Sequence, residues 1–240
     1  TVLDELCAEL PLLRQPVGPQ PQGRVAKRMW QATLSLAETG FITPMAAVAG
    51  AVAEEILEAM QAQASLARAF VNNGGDIALH LGEGMVYRAG LVDRPDMPSL
   101  FAAAEIAWTD PVRGIATSGW RGRSFSLGIA DAVTVLALRA SMADAAATVI
   151  ANAVDLPGHP AIARCPAREV QPDNDLGARL VTRGVGPLAA NEIGMALDAG
   201  VAFAQRLAAQ GVIAAAALHL QGETRMVGQG MGRLSTDAGR

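Results

Sequence analysis

The chain has 240 residues, enough for one large domain or two coupled lobes around a real core. Hydrophobic residues make up 51% and charged residues 18%, which excludes disorder as the default state. A net charge of −4 and only 4% aromatic residues leave neither a basic stripe nor a stacking platform for nucleic acid, and Cys7 and Cys165 stand too far apart in sequence to suggest a CxxC metal pair or a disulfide framework.

The opening "TVLDELCAEL" is acidic and lacks the positive n-region of a signal peptide. The chain does not begin with Met, so a preceding segment is left open. No apolar run reaches the roughly 20 residues of a membrane span, and a cytoplasmic location is the expectation. Residues 11–23 are rich in Pro, Gly and Gln and read as a loop or linker closing an N-terminal extension. Residues 24–39 read as a helix. Pro44 opens a longer one, "PMAAVAGAVAEEILEAMQAQ", with Pro in its favoured early position. Gly50 weakens that helix, as close packing of another element would require.

In "VNNGGDIALHLG", residues 71–82, two glycines and an aspartate precede an alternating run. Ile77, Leu79 and Leu81 share one face of a strand, with Ala78 and His80 on the other. A glycine backbone there serves either as a simple turn or as a surface that a phosphate or flat ring touches, because no Cβ blocks it. A turn at 82–84 leads to an expected return strand, "MVYRAGLV", and residues 92–99 read as a Pro/Asp loop.

Residues 113–119, "RGIATSG", are expected to end in a turn. Arg113, Arg121 and Arg123 bracket it, in the pattern of an anion nest or of an exposed loop with solvated arginines. Trp120 offers a ring for stacking. "SFSLGIADAVTVLAL" reads as one or two buried strands, and "SMADAAATVIANAV" as a helix. On that helix Asp144 and Thr148 stand at i and i+4, so they share a face and suit a hard divalent ion that keeps other oxygen ligands. The competing reading makes Ser141 to Asp144 an S-x-x-D capping box. Residues 156–186 read as an irregular connection, Pro187 opens a helix to about Gln210, and 211–221 reads as a strand.

The run "ALHL" occurs at Ala78 and again 139 residues later at Ala217, each time after a Pro-led, Ala-rich helix. An internal helix–strand repeat therefore suggests an α+β fold of two lobes with a cleft between them. His80 and His219 occupy matching places in it and have no second His or Cys at metal-ligand spacing.

Taken in order, "VNNGGDIAL", "GIATSG", "DAVTVLA" and "ADAAAT" resemble the motifs of the FAD:protein FMN transferase family, the ApbE proteins. "TPMAAVAGAVAEEIL" is similar to the helix of the uncharacterised ApbE-related branch. The resemblance is strongest over residues 40–155, within a single ApbE-like domain spanning the chain. It implies a two-lobed α+β fold that holds a flavin nucleotide, FAD or FMN, with Mg²⁺. On that pattern Asp144 and Thr148 match the metal-holding pair. Asn73, Gly74, Gly75 and Asp76 match the segment beside the nucleotide, and Thr117, Ser118 and Gly119, continued by Trp120 and Arg121, match its second turn.

One departure counts against transfer. True transferases carry a His-x-x-Asp-Pro-x-Thr-Gly loop after the Thr-Ser-Gly turn, whereas this chain runs "GRSFSLGIADAVTV". Asp131 is the candidate replacement base. The expected function is nucleotide binding with Mg²⁺ and a degenerate transferase activity, against the alternative of a non-catalytic nucleotide-binding or assembly protein. The expected partner is thus a small-molecule nucleotide, with no nucleic acid and no membrane span, and a homo-oligomer is left open.

Overall fold

The computed structural model describes residues 1–92, 100–228 and 233–235. Helices α1 (Val2–Ala8), α2 (Leu10–Leu13) and α3 (Arg24–Leu34) come first, and a 3₁₀ turn over Pro44–Ala47 leads into α4 (Val48–Gln63). Strands β1 (Arg68–Asn73), β2 (Asp76–Leu81), β3 (Val86–Val92), β4 (Leu100–Ala107), β5 (Gly114–Ser118) and β6 (Ala132–Ala137) precede α5 (Ala140–Ala153). Then come β7 (Ile162–Pro166), α6 (Ala167–Val170), β8 (Leu180–Val185), α7 (Ala190–Ala209), β9 (Ala215–Leu220), β10 (Glu223–Val227) and β11 (Arg233–Ser235). No helix among the described residues is long and apolar enough to cross a membrane.

The expected α+β class holds, in three layers. The central sheet runs β1-β2-β5-β6-β9-β10 with every neighbour antiparallel. One face is covered by helices: α4 packs on β1 and β2, α5 on β5 and β6, and α7 on β9 and β10. The other face meets the small sheet β11-β4-β3. Strand alternation feeds both cores. Ala116, Val133, Val135 and Leu218 join the helix-side cluster, while Ile77, Leu79, Ile115 and Leu136 pack with Leu91, Ala104 and Ile106 of the small sheet.

Several local expectations change. Residues 68–73 form a strand rather than a lead-in to one, so the two glycines sit inside a hairpin with Asn73 opposite Asp76. Gly74 and Gly75 have φ of 75° and 116°, the conformation a two-residue hairpin turn demands. Asn72 closes it, its Oδ1 accepting from the Gly75 N–H at 2.8 Å. The strand after Gly84 does not return beside β2 but pairs with β4 in the small sheet. Residues 114–118 are a central strand rather than the approach to a turn, and the 156–186 connection contains the β7–β8 hairpin. Most of the Pro/Asp loop lies outside the described residues. The N-terminal extension holds two helices that pack on α3, and Leu13 is buried.

Both "ALHL" runs fall in the central sheet, each second from an edge. Their faces are swapped, however. Leu79 and Leu81 turn to the small sheet, whereas Leu218 and Leu220 turn to the helices. Moving one residue in strand register exchanges the two faces, so matching letters here have different surroundings.

Candidate functional site

The site is built at one end of the central sheet, where the β1–β2 hairpin tip, the end of β5 and the starts of α4 and α5 meet. Asn73 and Asp76 point to the helix side, in step with Ala69, Val71 and Ala78, which pack there. Asn73 Nδ2 donates to the Ala49 carbonyl at 3.2 Å and fixes the hairpin tip to the first turn of α4. Asp76 Oδ1 accepts from the Thr117 backbone N–H at 3.3 Å. Asp144, on the second turn of α5, reaches across to the same place, and its Oδ2 accepts from the Gly50 N–H at 3.0 Å.

Asp144 therefore caps α4, not its own helix. The expected capping box is corrected: α5 begins at Ala140, with Arg139 as its N-cap and no side-chain cap from that residue. Ser141 donates both its N–H, at 2.8 Å, and its hydroxyl, at 2.9 Å, to Glu54 of α4. Each helix thus supplies a carboxylate to the N-terminus of the other, satisfying N–H groups that a helix start leaves unpaired. The crossing is close because position 50 has no side chain. A Cβ on Gly50 would overlap the Ala140 carbonyl, which bears out the expected close approach.

The electrostatics of the two aspartates are unusual. Burial pushes the Asp76 carboxyl up to about 6, against the Thr117 N–H and the Arg123 charge, which act the other way. Asp144 is held well above the usual carboxylate range, first by burial and then by the Asp76 charge, against the N–H groups of Gly50 and Ala49. Arg123 lies over the hairpin tip, where its guanidinium fills the space a Cβ on Gly74 would need. The close approach that glycine permits is made at Gly74 by Arg123. Gly75, one residue on, faces open space.

Other expected residues are distributed around this pair. The Thr117 backbone belongs to the site, but its hydroxyl turns to the opposite face and shares a 2.8 Å hydrogen bond with Thr134. Ser118 ends β5, with its side chain on the helix side by alternation. Thr148 is half-buried one turn beyond Asp144 on α5. Gly119 lets the chain pass tightly over the Asp131 carbonyl, where a Cβ would overlap.

Trp120, Arg121 and Asp131 form a separate cluster. Asp131 Oδ1 accepts from Arg121 Nε at 2.6 Å and from Trp120 Nε1 at 3.1 Å, and its Oδ2 from the Gln221 N–H at 2.7 Å. Gln221 has φ of 44°, a left-handed turn that this bond helps to hold. His80 and His219 are strand residues with partners of their own: His80 bonds Gln61 and the Leu66 carbonyl, and His219 bonds Thr224.

In the sequence, Arg123 is legible only as part of the arginine bracket, and Glu54 and the first turn of α4 are not legible as parts of the site. Gly50 was the available signal, since a glycine early in an Ala-rich helix marks a close neighbour. Among the described residues no group of three or more His, Cys, Asp or Glu side chains is gathered for a metal.

Fold and site together define a three-layered α+β protein with a carboxylate pair at the end of its central sheet. The model of the family described as AbpE bacteria matches residues 1–226, and the chain belongs to that family. It is also similar to UPF0280 proteins of archaea. It is 44% identical over 130 residues to that of Methanopyrus kandleri, covering 53% of this chain and 48% of the relative. It is 40% identical over 131 residues to that of Methanothrix thermoacetophila (54% and 52%). It is 34% identical over 149 residues to that of Methanosarcina acetivorans (58% and 52%). The chain spans about half the length of the curated relatives it matches.

Proposed function

We propose that this protein binds a pyrophosphate nucleotide, FAD in the first instance, together with Mg²⁺, and does not transfer FMN efficiently. The observation that carries the reading is the Asp76–Asp144 pair. Two carboxylates pushed up by shared burial are relieved when a divalent cation neutralises them. With few protein ligands, such an ion completes its shell with water and ligand phosphates, the habit of Mg²⁺. Arg123 over the Gly74 turn adds a guanidinium suited to phosphate oxygens, and Gly75 leaves the backbone open beside it. Thr148, on the Asp144 face of α5, is the second metal-side residue that the ApbE resemblance implies. When bound, the metal would spread the charge of the pyrophosphate.

Asp131 supports the second half of the reading. A carboxylate that already accepts from an arginine, an indole and a backbone N–H is poorly placed to take a proton as general base. The chain lacks the histidine loop, and Asp131, its candidate replacement, is already occupied by its donors. Help from a general base is typically worth 10²–10⁴ in rate, so binding can persist while turnover falls away.

Two experiments test the two halves. In a thermal-shift panel, FAD with Mg²⁺ should raise the melting temperature more than either alone. No shift with any pyrophosphate nucleotide would remove the binding claim. Incubation with FAD, Mg²⁺ and a Thr-bearing acceptor should leave the acceptor unmodified. Covalent FMN on it, at the rate of a true transferase, would remove the claim of lost transfer and turn attention to Asp131→Asn.

A further inference from the structure

We infer that the protein has a second, metal-independent anion site, built for a phosphoryl-type dianion, in the cleft between the loop after β5 and strand β8. The cleft has a volume of about 250 Å³ and is lined by Trp120, Arg121, Thr182 and Arg183. Gly74, Asp76 and Asp144 are not among its lining residues, and a site here goes beyond the function proposed above.

Two arginines enter this cleft from different elements, one from the loop at 119–123 and one from β8. Arg121 has committed its Nε to Asp131, an edge-on bond that fixes the guanidinium plane. The same group lies 4.4 Å from the centre of the Trp120 ring, which holds it from a second direction. Arg183 is exposed and makes no ion pair or hydrogen bond among the described residues. Asp131 pairs with Arg121, which leaves Arg183 as the unpaired charge among the lining residues. The Thr182 hydroxyl donates to the Gly128 carbonyl at 2.8 Å, and its buried side chain anchors this part of β8 to the adjacent chain.

This is the arrangement of a clamp. One guanidinium is preorganised by its partners and the other closes from the far wall, and guanidinium forks fit tetrahedral oxyanions bidentately. The volume falls short of the roughly 300–1,000 Å³ of sites that enclose drug-sized molecules. The cleft therefore suits a phosphoryl head group, either inorganic phosphate or the monoester end of a larger compound whose remainder stays in solvent.

Titration calorimetry on the full chain in Mg²⁺-free buffer tests this, with inorganic phosphate and phenyl phosphate as probes. At least one probe should bind, and Arg183→Ala should weaken it tenfold or more. Arg183→Lys should recover part of the loss, since it restores charge without the fork. Stronger binding of phenyl phosphate would assign the site to an ester, and stronger binding of phosphate to the free ion. Probe binding should be the same with and without added Mg²⁺, which separates this site from the metal-dependent one. Absence of binding by the wild type at millimolar probe, or equal binding by Arg183→Ala, overturns the proposal.

Discussion

Asp131 and the Asp76–Asp144 pair lie close to one end of the same sheet and live in opposite surroundings. Asp131 is surrounded by donors: Arg121, Trp120 and the Gln221 N–H all point at it. Asp76 and Asp144 are largely buried, and among the described residues the groups that answer their charge are backbone N–H groups and, for Asp76, the overhanging Arg123, so each is pushed up. The first arrangement is complete and holds loops together. The second is incomplete when ionised, and an incomplete set of hard oxygen donors is what a cation needs. Acidic residues in a cleft therefore say little until their donors are counted.

The largest effect should come from the complete cluster. Asp131→Ala leaves the Arg121 charge and the Trp120 indole N–H without their partner, and breaking a buried ion pair from one side costs about 3–5 kcal/mol. Urea unfolding should show that loss, and a loss below about 1 kcal/mol would mean that Asp131 is not the hub described. Gly50→Ala should come next, destabilising by about 1–3 kcal/mol because α4 and α5 must separate. The same change should weaken any Mg²⁺ effect, since the α4–α5 crossing is what positions Asp144. An unchanged melting temperature and Mg²⁺ response would contradict that positioning.

The incomplete pair should show itself through pH. A carboxyl whose folded pKa is raised contributes stability that is present below its unfolded value and lost as pH rises through the folded one. For Asp76 that window runs from its ordinary 3.8 to about 6, and the loss is at most about 3 kcal/mol. Unfolding free energies across pH 4–7 should fall more steeply for the wild type than for Asp76→Asn, and identical profiles would place Asp76 in an ordinary environment. The smallest stability effect should be that of Asp144→Asn. It keeps an acceptor for the Gly50 N–H, so metal-free stability near neutral pH should stay within about 1 kcal/mol of the wild type or rise.

Much of the architecture was legible because local patterns are strong where one face is buried. The alternation at Ile77, Leu79 and Leu81, the β-branched run around Val133 to Val135, and the Ala-rich helices at α4, α5 and α7 all lie where periodicity and composition put them. The failures have physical causes. Strand β1, "RAFVNN", is an edge strand with one apolar face and a polar tip, so its pattern is short and ambiguous. The return strand after Gly84 was assigned to the wrong neighbour because a turn signal does not say which sheet the chain enters. The repeat at the two "ALHL" runs could not reveal that its leucines face opposite layers, since that parity is set by pairing partners far away in sequence. At the site, Asp76 and Asp144 lie near enough for the charge of one to act on the other. That Asp144 caps α4 while Glu54 caps α5 was not readable, because capping between helices depends on their crossing rather than on spacing.

The most direct test of the contrast is the melting temperature of the wild type, Asp76→Asn and Asp144→Asn with FAD, with and without Mg²⁺, at pH 7.5 and pH 5. A Mg²⁺-dependent FAD shift is expected in the wild type at pH 7.5, shrinking at pH 5 as Asp76 takes up its proton, and absent in both variants although they fold. An undiminished Mg²⁺-dependent shift in Asp76→Asn and Asp144→Asn would contradict it, because the metal would then be held somewhere other than the carboxylate pair.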